Sequence, residues 1–304
     1  MKTTSSVASG EEVQGGRPSR EQRNGLVIID KPAGLTSHDV VARIRRIAGS
    51  RKVGHAGTLD PMATGVLVVG LEKATKILGY LTLTEKEYRA TIRLGQSTST
   101  DDAEGEVVLA APRPVGETEL RAAVAALTGK IQQVPPRVSA VKVDGQRAYK
   151  LTRAGAAPEL AARPVTVYLF AIGDVRMAGD YTDVDATIRC SSGTYIRSLA
   201  RDLGASLGTG GHLTALRRTR VGPYSIAQAH SPDEQLVVLP LEHVVEQAFG
   251  RRDLTEAEAK VLAHGGRLTP RGVPGIAAAF APNGALVALV DEDQSRARPV
   301  VVFA

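Results

Sequence analysis

The sequence predicts an α+β fold in which a large mixed domain is followed by a small β domain. Segments with the two-residue alternation of strands are interspersed with amphipathic helical segments over residues 24–250. Residues 251–304 are mostly strand-like and carry a hairpin signal at Asn283 and Gly284. A chain of 304 residues is long enough for two domains of such unequal size.

The N-terminal elements follow from apolar patterning and capping residues. Residues 1–23 are rich in Ser, Gly and charge and have no apolar core, which predicts a disordered tail and not a secretory signal. An apolar strand is predicted to start at Gly25 and to end in a turn. Thr36 or Ser37 can cap the helix that comes next, and Gly49 ends it.

The middle of the chain alternates between strands and helices. A helix is predicted over 117–129, with Thr118 as its N-cap and Gly129 as its end, and another follows the turn at Gly193. Residues 74–81 are predicted to form a short helix. Strands are predicted at 66–70, 86–95, 107–110, 164–175 and 181–191.

The C-terminal domain is predicted to start near Arg251. Thr255 and Glu258 form a capping-box pattern at the head of a helix, and Leu254 is placed as its hydrophobic staple. Two strands around the turn at Asn283 and a last strand near the end of the chain complete a predicted small barrel.

Composition narrows the class of partner and of chemistry. The net charge of +6 and the pI near 9.5 favour a polyanionic partner. The single Cys190 excludes an internal disulfide, and six scattered His residues without an HxxxH pair argue against a metal site. No apolar run approaches the ~20 residues that span a bilayer. The sequence therefore predicts no metal, no disulfide and no membrane-spanning helix.

Much of the positive charge lies in residues 130–163. This segment combines basic residues with Pro and Gly, which suits a mobile insertion that neutralises phosphates. A solvated basic loop has the same composition and is the structural alternative. Its charged residues are Lys130, Arg137, Lys142, Arg147, Lys150, Arg153 and Arg163, against Asp144 and Glu159.

One acidic residue stands in an unusual setting. Asp60 lies within "GHAGTLDPMATG", residues 54–65, and is the only acidic residue from Arg51 to Leu71. Asp before Pro is common in turns, so a turn is the simplest interpretation of this position taken by itself. The neighbouring glycines also allow the backbone to approach a ligand closely.

Four segments taken together resemble one enzyme family. They are "DKPAGLTS", "GHAGTLDPMATG", "KEYRATIRLG" and "CSSGTYIRSL", and over roughly residues 24–235 they are similar to the TruB family of pseudouridine synthases. The resemblance implies a catalytic domain over 24–250 with a mixed, mainly antiparallel sheet flanked by helices. It also identifies 130–163 with the family's thumb insertion and 251–304 with a PUA-like RNA-binding β-barrel.

The resemblance implies an isomerase that converts uridine 55 in the T loop of transfer RNA to pseudouridine without a cofactor. Asp60 aligns with the catalytic aspartate, which acts as nucleophile at the sugar or as base in a glycal route. Arg197 matches the arginine that pairs with this aspartate, and Tyr88 matches the tyrosine that packs on the target base. A surface arginine and ordinary strand packing are the structural alternatives for these two residues.

A second group of residues is implied in RNA binding. His55 matches the residue that takes the place of the extruded base, and Tyr195 and Leu216 match positions that contact substrate. For the basic residues, contact with phosphate and a purely structural role are both open. They are Lys31, Lys76, Arg217 and Arg218.

The implied partner is transfer RNA, with the T-arm stem-loop at the catalytic domain and the acceptor-stem side at the C-terminal domain. A cytoplasmic monomer that needs no guide RNA and no membrane is expected. Three alternatives remain open: a guide-dependent catalytic subunit of a ribonucleoprotein, a non-catalytic RNA-binding or chaperone protein, and an unrelated basic α+β enzyme. The thumb segment favours a stand-alone enzyme, and the presence of Asp60, Tyr88 and Arg197 favours catalysis.

Overall fold

A computed structural model of the chain describes residues 23–138, 142–143, 146–147, 160–272 and 275–303. The predicted N-terminal tail, 1–23, lies outside the described residues except for Arg23. The middle of the predicted thumb lies outside them as well, apart from the backbone of residues 142–143 and 146–147.

The described part of the chain is built on a ten-stranded mixed sheet, which confirms the α+β fold class. In chain order, the strands before the C-terminal sheet are β1 (Gly25–Lys31), β2 (Val53–His55), β3 (Thr64–Leu71), β4 (Lys86–Leu94), β5 (Gln96–Thr98), β6 (Val107–Ala110), β7 (Gly129–Gln133), β8 (Lys142–Val143), β9 (Gln146–Arg147), β10 (Arg163–Ala178), β11 (Tyr181–Cys190), β12 (Gly211–Val221), β13 (Tyr224–Ser225) and β14 (Leu239–Pro240). Of these, β5 pairs with β6 and β8 pairs with β9 in two small separate sheets, and the other ten form the large sheet. The sheet order is β14-β1-β3-β12-β4-β11-β10-β7, with β2 beside β3 and β13 beside β12. The pairing of β3 with β12 is parallel, and the other pairings in this sheet are antiparallel.

Helices cover the sheet, and their ends follow capping chemistry. Thr36 caps the first helix through a capping box with Asp39, and Gly49 ends it in the left-handed conformation with φ 60°. The helices are α1 (Ser37–Ala48), α2 (Leu78–Thr82), α3 (Glu117–Ala126), α4 (Ile196–Ser206), α5 (Leu241–Phe249) and α6 (Glu256–Ala263). A 3₁₀ helix over Glu72–Ile77 precedes α2, where the sequence predicts one short helix.

The first strand explains why both faces of the sheet are covered. Alternate residues of β1 enter two different core clusters: Leu26 and Ile28 pack on one side, and Val27 and Ile29 pack against α1 on the other. A strand buried on both faces appears in the sequence as a continuous apolar run and not as an alternation. This is the pattern of "GLVIID".

The C-terminal residues form a separate four-stranded sheet that shares a core with the large domain. Its strands are β15 (Arg251–Asp253), β16 (Gly275–Phe280), β17 (Leu286–Glu292) and β18 (Ala297–Val302). Phe280 and Phe303 pack in the same cluster as Leu26 and Ile77 of the large domain. The capping box of Thr255 and Glu258 is confirmed at the start of α6.

Two local predictions differ from the structure. Helix α3 begins after Gly116, not after Thr118, because Gly116 takes the extended conformation of an N-cap and two glutamates occupy the first turn, where the helix dipole favours them. The helix ends at Ala126, and Gly129, with φ 96°, opens β7. The two ends of the predicted thumb belong to the sheet, because 129–133 pairs with 163–167.

Gly65 is expected to tolerate no side chain. Its φ is 101°, and a Cβ would lie 2.2 Å from the backbone oxygen of Arg218 on the neighbouring strand β12. We expect Gly65→Ala to lower the free energy of unfolding by at least about 3 kcal/mol, measured by urea denaturation, because neither strand can move without breaking the pairing. The matched variant is Gly193→Ala, which has φ 80° and no atom within 4 Å, so it adds only backbone strain of about 1 kcal/mol. Equal losses in the two variants would contradict this account.

Candidate active site

The loop that carries Asp60 connects β2 to β3. Buried side chains hold its backbone through hydrogen bonds. The Ser37 hydroxyl accepts a hydrogen bond from the Leu59 amide (2.9 Å) and donates one to the Leu59 carbonyl (3.1 Å). The Arg218 guanidinium donates to the carbonyls of Gly57 (3.1 Å) and Thr58 (3.2 Å). These bonds satisfy backbone groups that would otherwise be buried without partners, and they fix the loop conformation.

Lys31 holds the other side of the same loop. Its Nζ donates to the carbonyls of Pro32 (2.9 Å), Leu35 (2.7 Å) and Pro61 (3.2 Å), and its side chain is fully buried. Burial lowers the pKa of this ammonium, and the negative charge of Asp60 partly offsets that effect. The lysine therefore joins the "KPAGL" turn to the Asp60 loop.

Asp60 and Arg197 form a two-point ion pair. Nε of Arg197 lies 3.0 Å from Oδ2 of Asp60, and Nη2 lies 3.1 Å from Oδ1. The Arg197 side chain is 6% exposed and that of Asp60 is 33% exposed, so the cation is buried behind a carboxylate that faces solvent. A planar guanidinium matches both carboxylate oxygens and fixes the direction in which the carboxylate points.

The Arg197 guanidinium also makes contacts beyond Asp60. Nη1 donates to the Thr100 carbonyl (3.0 Å) and lies 3.4 Å from Oδ2 of Asp102, and Nη2 donates to the Val138 carbonyl (3.0 Å). The Asp102 side chain is 3% exposed. One arginine on the first turn of α4 thus ties the Asp60 loop to the segment after β5.

Tyr88 and Leu216 lie in the hydrophobic core that includes Leu59, the residue before Asp60. Each of the two side chains is 7% exposed. Burial raises the pKa of the Tyr88 hydroxyl, while the Arg218 cation opposes that rise. The hydroxyl is therefore neutral near pH 7 and able to donate a hydrogen bond.

His55 stands at the start of the loop, at the end of β2. Its ring is half-buried and meets the exposed His38 ring edge-on, with the ring centroids 5.6 Å apart. Burial lowers the pKa of His55, and the positive charges of His38 and Arg218 lower it further. A neutral imidazole at this position is suited to stacking.

The remaining residues predicted to bind RNA lie in three separate parts of the structure. Tyr195 precedes α4 and is held by the Gln133 side chain, which bonds both its amide (2.8 Å) and its carbonyl (3.1 Å). Lys76 lies at the C-terminal sheet, where Nζ donates to the Val302 carbonyl (2.8 Å). Arg217 forms an ion pair with Asp30 at 2.6 Å.

Two of the basic residues are buried within the fold. Lys31 is fully buried and Arg218 is 1% exposed, and the polar groups of both are bound to backbone carbonyls. This placement favours the structural role for both side chains, and their contact with phosphate stays a prediction.

Comparisons with known proteins place the chain in a family. The profile described as "TruB family pseudouridylate synthase (N terminal domain)" matches residues 45–196, and "tRNA Pseudouridine synthase II, C terminal" matches 249–304. The tRNA pseudouridine synthase B of Thermobifida fusca is 60% identical over 92% of this chain and 99% of that protein. The chain belongs to the TruB family.

Other relatives of the TruB chain support the same conclusion. The tRNA pseudouridine synthase B of Streptomyces griseus is 55% identical over 92% of this chain and 97% of that protein. An H/ACA RNP structure "bound to a substrate RNA containing 2'-deoxyuridine" matches 93% of this chain and 86% of that one, with 25% identity and a TM-score of 0.69. The TruB chain is therefore an isomerase with the pseudouridine synthase fold.

Sequence reasoning missed two residues of the TruB site. Ser37 is considered only as a possible helix cap, but Thr36 is the cap and Ser37 bonds Leu59. Asp102 lies in a polar stretch that looks like a turn, and its contact with Arg197 spans 95 residues of sequence. A buried carboxylate is a signal that only the fold reveals.

Two classes of feature are missing from the described part of the TruB chain. Its His, Cys, Asp and Glu side chains form no group of three or more that could hold a metal ion. No helix in that part is long and apolar enough to cross a membrane.

Lys86 on β4 lies opposite Cys190 on β11 in the sheet. It is expected to make the stability of the chain depend on pH in the alkaline range. Burial lowers its pKa to about 8, while in the unfolded chain it titrates near 10.5. Between these values only the unfolded chain keeps the proton, so stability rises with pH. We expect the unfolding free energy of wild type to rise by roughly 3 kcal/mol relative to that of Lys86→Met from pH 8 to 10.5, measured by urea denaturation. Curves that stay parallel over this range would contradict the burial of a charged Lys86.

Proposed function

We propose that the chain isomerises uridine 55 in the T loop of transfer RNA to pseudouridine, with Asp60 as the catalytic group. The observation that carries the proposal is the two-point pair in which the buried Arg197 holds a partly exposed carboxylate at the end of a clamped loop. The relatives named tRNA pseudouridine synthase B, at 55–60% identity, support the substrate class.

The reaction breaks the N1–C1′ glycosidic bond, turns the uracil and forms a C5–C1′ bond to the same sugar, and C5 loses its proton while N1 gains one. In one route the Asp60 carboxylate attacks C1′ and leaves when the new bond forms; in the other it removes the C2′ proton to give a glycal. Both routes need an ionised, aimed carboxylate. Arg197 supplies the orientation, and no redox equivalent or energy source enters the balance.

We assign the surrounding residues to base and RNA binding. Tyr88 packs on the extruded uracil, and its neutral hydroxyl is a hydrogen-bond donor. His55 fills the space that the extruded base leaves, at a cost of a few kcal/mol for unstacking. Tyr195 and Leu216 are assigned to contact with the substrate. The PUA-like domain, 251–304, and the thumb, 130–163, hold the acceptor-stem side and the T stem of the RNA.

The enzyme acts as a cytoplasmic monomer and without a guide RNA in this proposal. The structural similarity to an H/ACA RNP favours a guide-dependent subunit as the second candidate. The high identity to the relatives named tRNA pseudouridine synthase B, over most of their length, weighs against it.

The test is isomerisation of a synthetic T-arm stem-loop and of full-length transfer RNA by the purified chain alone. Carbodiimide blocks reverse transcription at pseudouridine and maps the modified position. We expect a stop at uridine 55 and none when that uridine is replaced by cytidine. Modification that appears only after a guide RNA is added would support the second candidate, and modification at another uridine would overturn the assigned position.

A further inference from the structure

A strongly basic surface lies at the C-terminal end of α1. Residues 40–59 contain five Lys or Arg residues and no Asp or Glu. Two of the five are used within the fold: Arg43 pairs with Asp233 at 2.9 Å, and Arg45 donates to the Val53 carbonyl at 3.3 Å. The other three define the α1-end surface: Arg46, Arg51 and Lys52.

The charges of the α1-end surface have no partner in the part of the chain that the structure describes. All three side chains are exposed and take part in no ion pair or hydrogen bond there. Capping of α1 does not occupy them, because Arg23 already donates to the Ala48 carbonyl at 2.8 Å. Arg23 therefore caps the helix end, and the three cations have no partner among the described residues.

Elsewhere on the described surface, arginines are commonly neutralised by carboxylates. Examples are Arg113 with Glu119, Arg121 with Glu117 at 2.8 Å, and Arg176 with Asp185 at 2.6 Å. Three unpaired cations on a four-residue turn and the adjoining helix end repel one another, which costs stability unless an anion binds. An anion bound at the α1-end surface would relieve this repulsion.

The position relative to the catalytic loop identifies the partner. Lys52 directly precedes β2, and the three residues from there to His55 at the end of β2 span about 10 Å at strand spacing. Neighbouring phosphates of a nucleic-acid strand lie within that distance of each other. We propose that the α1-end surface binds the sugar-phosphate backbone of the substrate RNA a few nucleotides from the target uridine. This inference rests on the proposed function.

The nearest acid leaves the surface positive. Glu72 follows β3 and accepts a hydrogen bond from the Ser50 hydroxyl at 2.7 Å, and its amide donates to the Lys52 carbonyl at 2.9 Å. One carboxylate beside three cations and Arg23 leaves an excess of positive charge. This excess fits a polyanion with regularly spaced charges better than a single small anion.

The test neutralises the surface and measures transfer RNA affinity against salt. In Arg46→Gln/Arg51→Gln/Lys52→Gln, the slope of log Kd against log salt concentration is expected to fall by about 2, and Kd at ~0.1 M salt to rise on the order of tenfold. The single-turnover rate at saturating RNA is expected to stay within about twofold, because the surface does not touch the reacting atoms.

The matched control removes the same number of charges from paired arginines, as Arg113→Gln/Arg121→Gln/Arg176→Gln. Its salt slope is expected to equal that of wild type, and urea denaturation checks that both triple variants are folded. Equal slopes in the two triple variants would overturn the inference. The proposed function would still stand in that case, provided that the wild-type chain modifies transfer RNA. A wild-type chain that neither binds nor modifies transfer RNA would overturn the proposed function itself.

Discussion

Asp60→Asn is expected to lower the single-turnover rate of isomerisation by about 1,000-fold or more while leaving transfer RNA affinity within about threefold. The amide keeps the shape of the carboxylate, so the loop held by Ser37, Lys31 and Arg218 is undisturbed. It has no negative charge and a much weaker oxygen nucleophile or base. Its nitrogen is also a donor and cannot accept a bond from Arg197, so only one of the two contacts survives.

The comparison that isolates chemistry from charge is Asp174→Asn. Asp174 is an exposed residue of β10, and its replacement changes the net charge by the same amount. We expect wild-type rates and affinity from it. The measurement is carbodiimide-detected pseudouridine under single-turnover conditions, together with filter-binding affinity. If Asp60→Asn retained more than a tenth of the rate, the catalytic assignment would be wrong, and if its affinity collapsed, binding and chemistry would not be separable at this residue.

The sequence predicts the elements of the fold well where the physics is local. The cap of α1, predicted at Thr36 or Ser37, is found at Thr36, and the capping box at Thr255 and the end of α1 at Gly49 are found as predicted, because each depends on residues within a few positions. Strand β12 was not predicted. Its residues "TALRRTR" are polar and basic, and only its place between β3 and β4 makes it a strand.

In the candidate site, too, local features follow from the sequence and long-range contacts do not. Asp60 and Arg197 could be matched by motif, but their pairing joins residues 137 positions apart. The roles of Lys31 and Arg218 could not be assigned, because a basic residue near an RNA site is equally consistent with phosphate binding or burial. Their burial favours the structural role, and it depends on the packing of β1 and β12 around the Asp60 loop.

Arg197→Met is expected to remove activity and also to destabilise the fold by about 3–5 kcal/mol. The guanidinium serves Asp60, Asp102 and two backbone carbonyls, at Thr100 and Val138. A methionine fills the volume but leaves the buried Asp102 carboxylate without its cation. Arg197→Lys is expected to recover part of the stability and little of the rate, because one ammonium cannot meet both oxygens of Asp60.

Two double variants separate the structural part of this effect from the catalytic part. Arg197→Met/Asp102→Asn is expected to regain stability, because the unpaired buried charge is removed. It is expected to remain inactive, because no guanidinium orients the Asp60 carboxylate. Arg197→Met/Asp60→Asn is expected to be no slower than Asp60→Asn alone, because orienting a carboxylate has no effect once that carboxylate is gone. Urea denaturation and single-turnover rates measure the two effects. A further loss of rate in the Asp60→Asn background would show that Arg197 acts on the RNA directly, and not through Asp60.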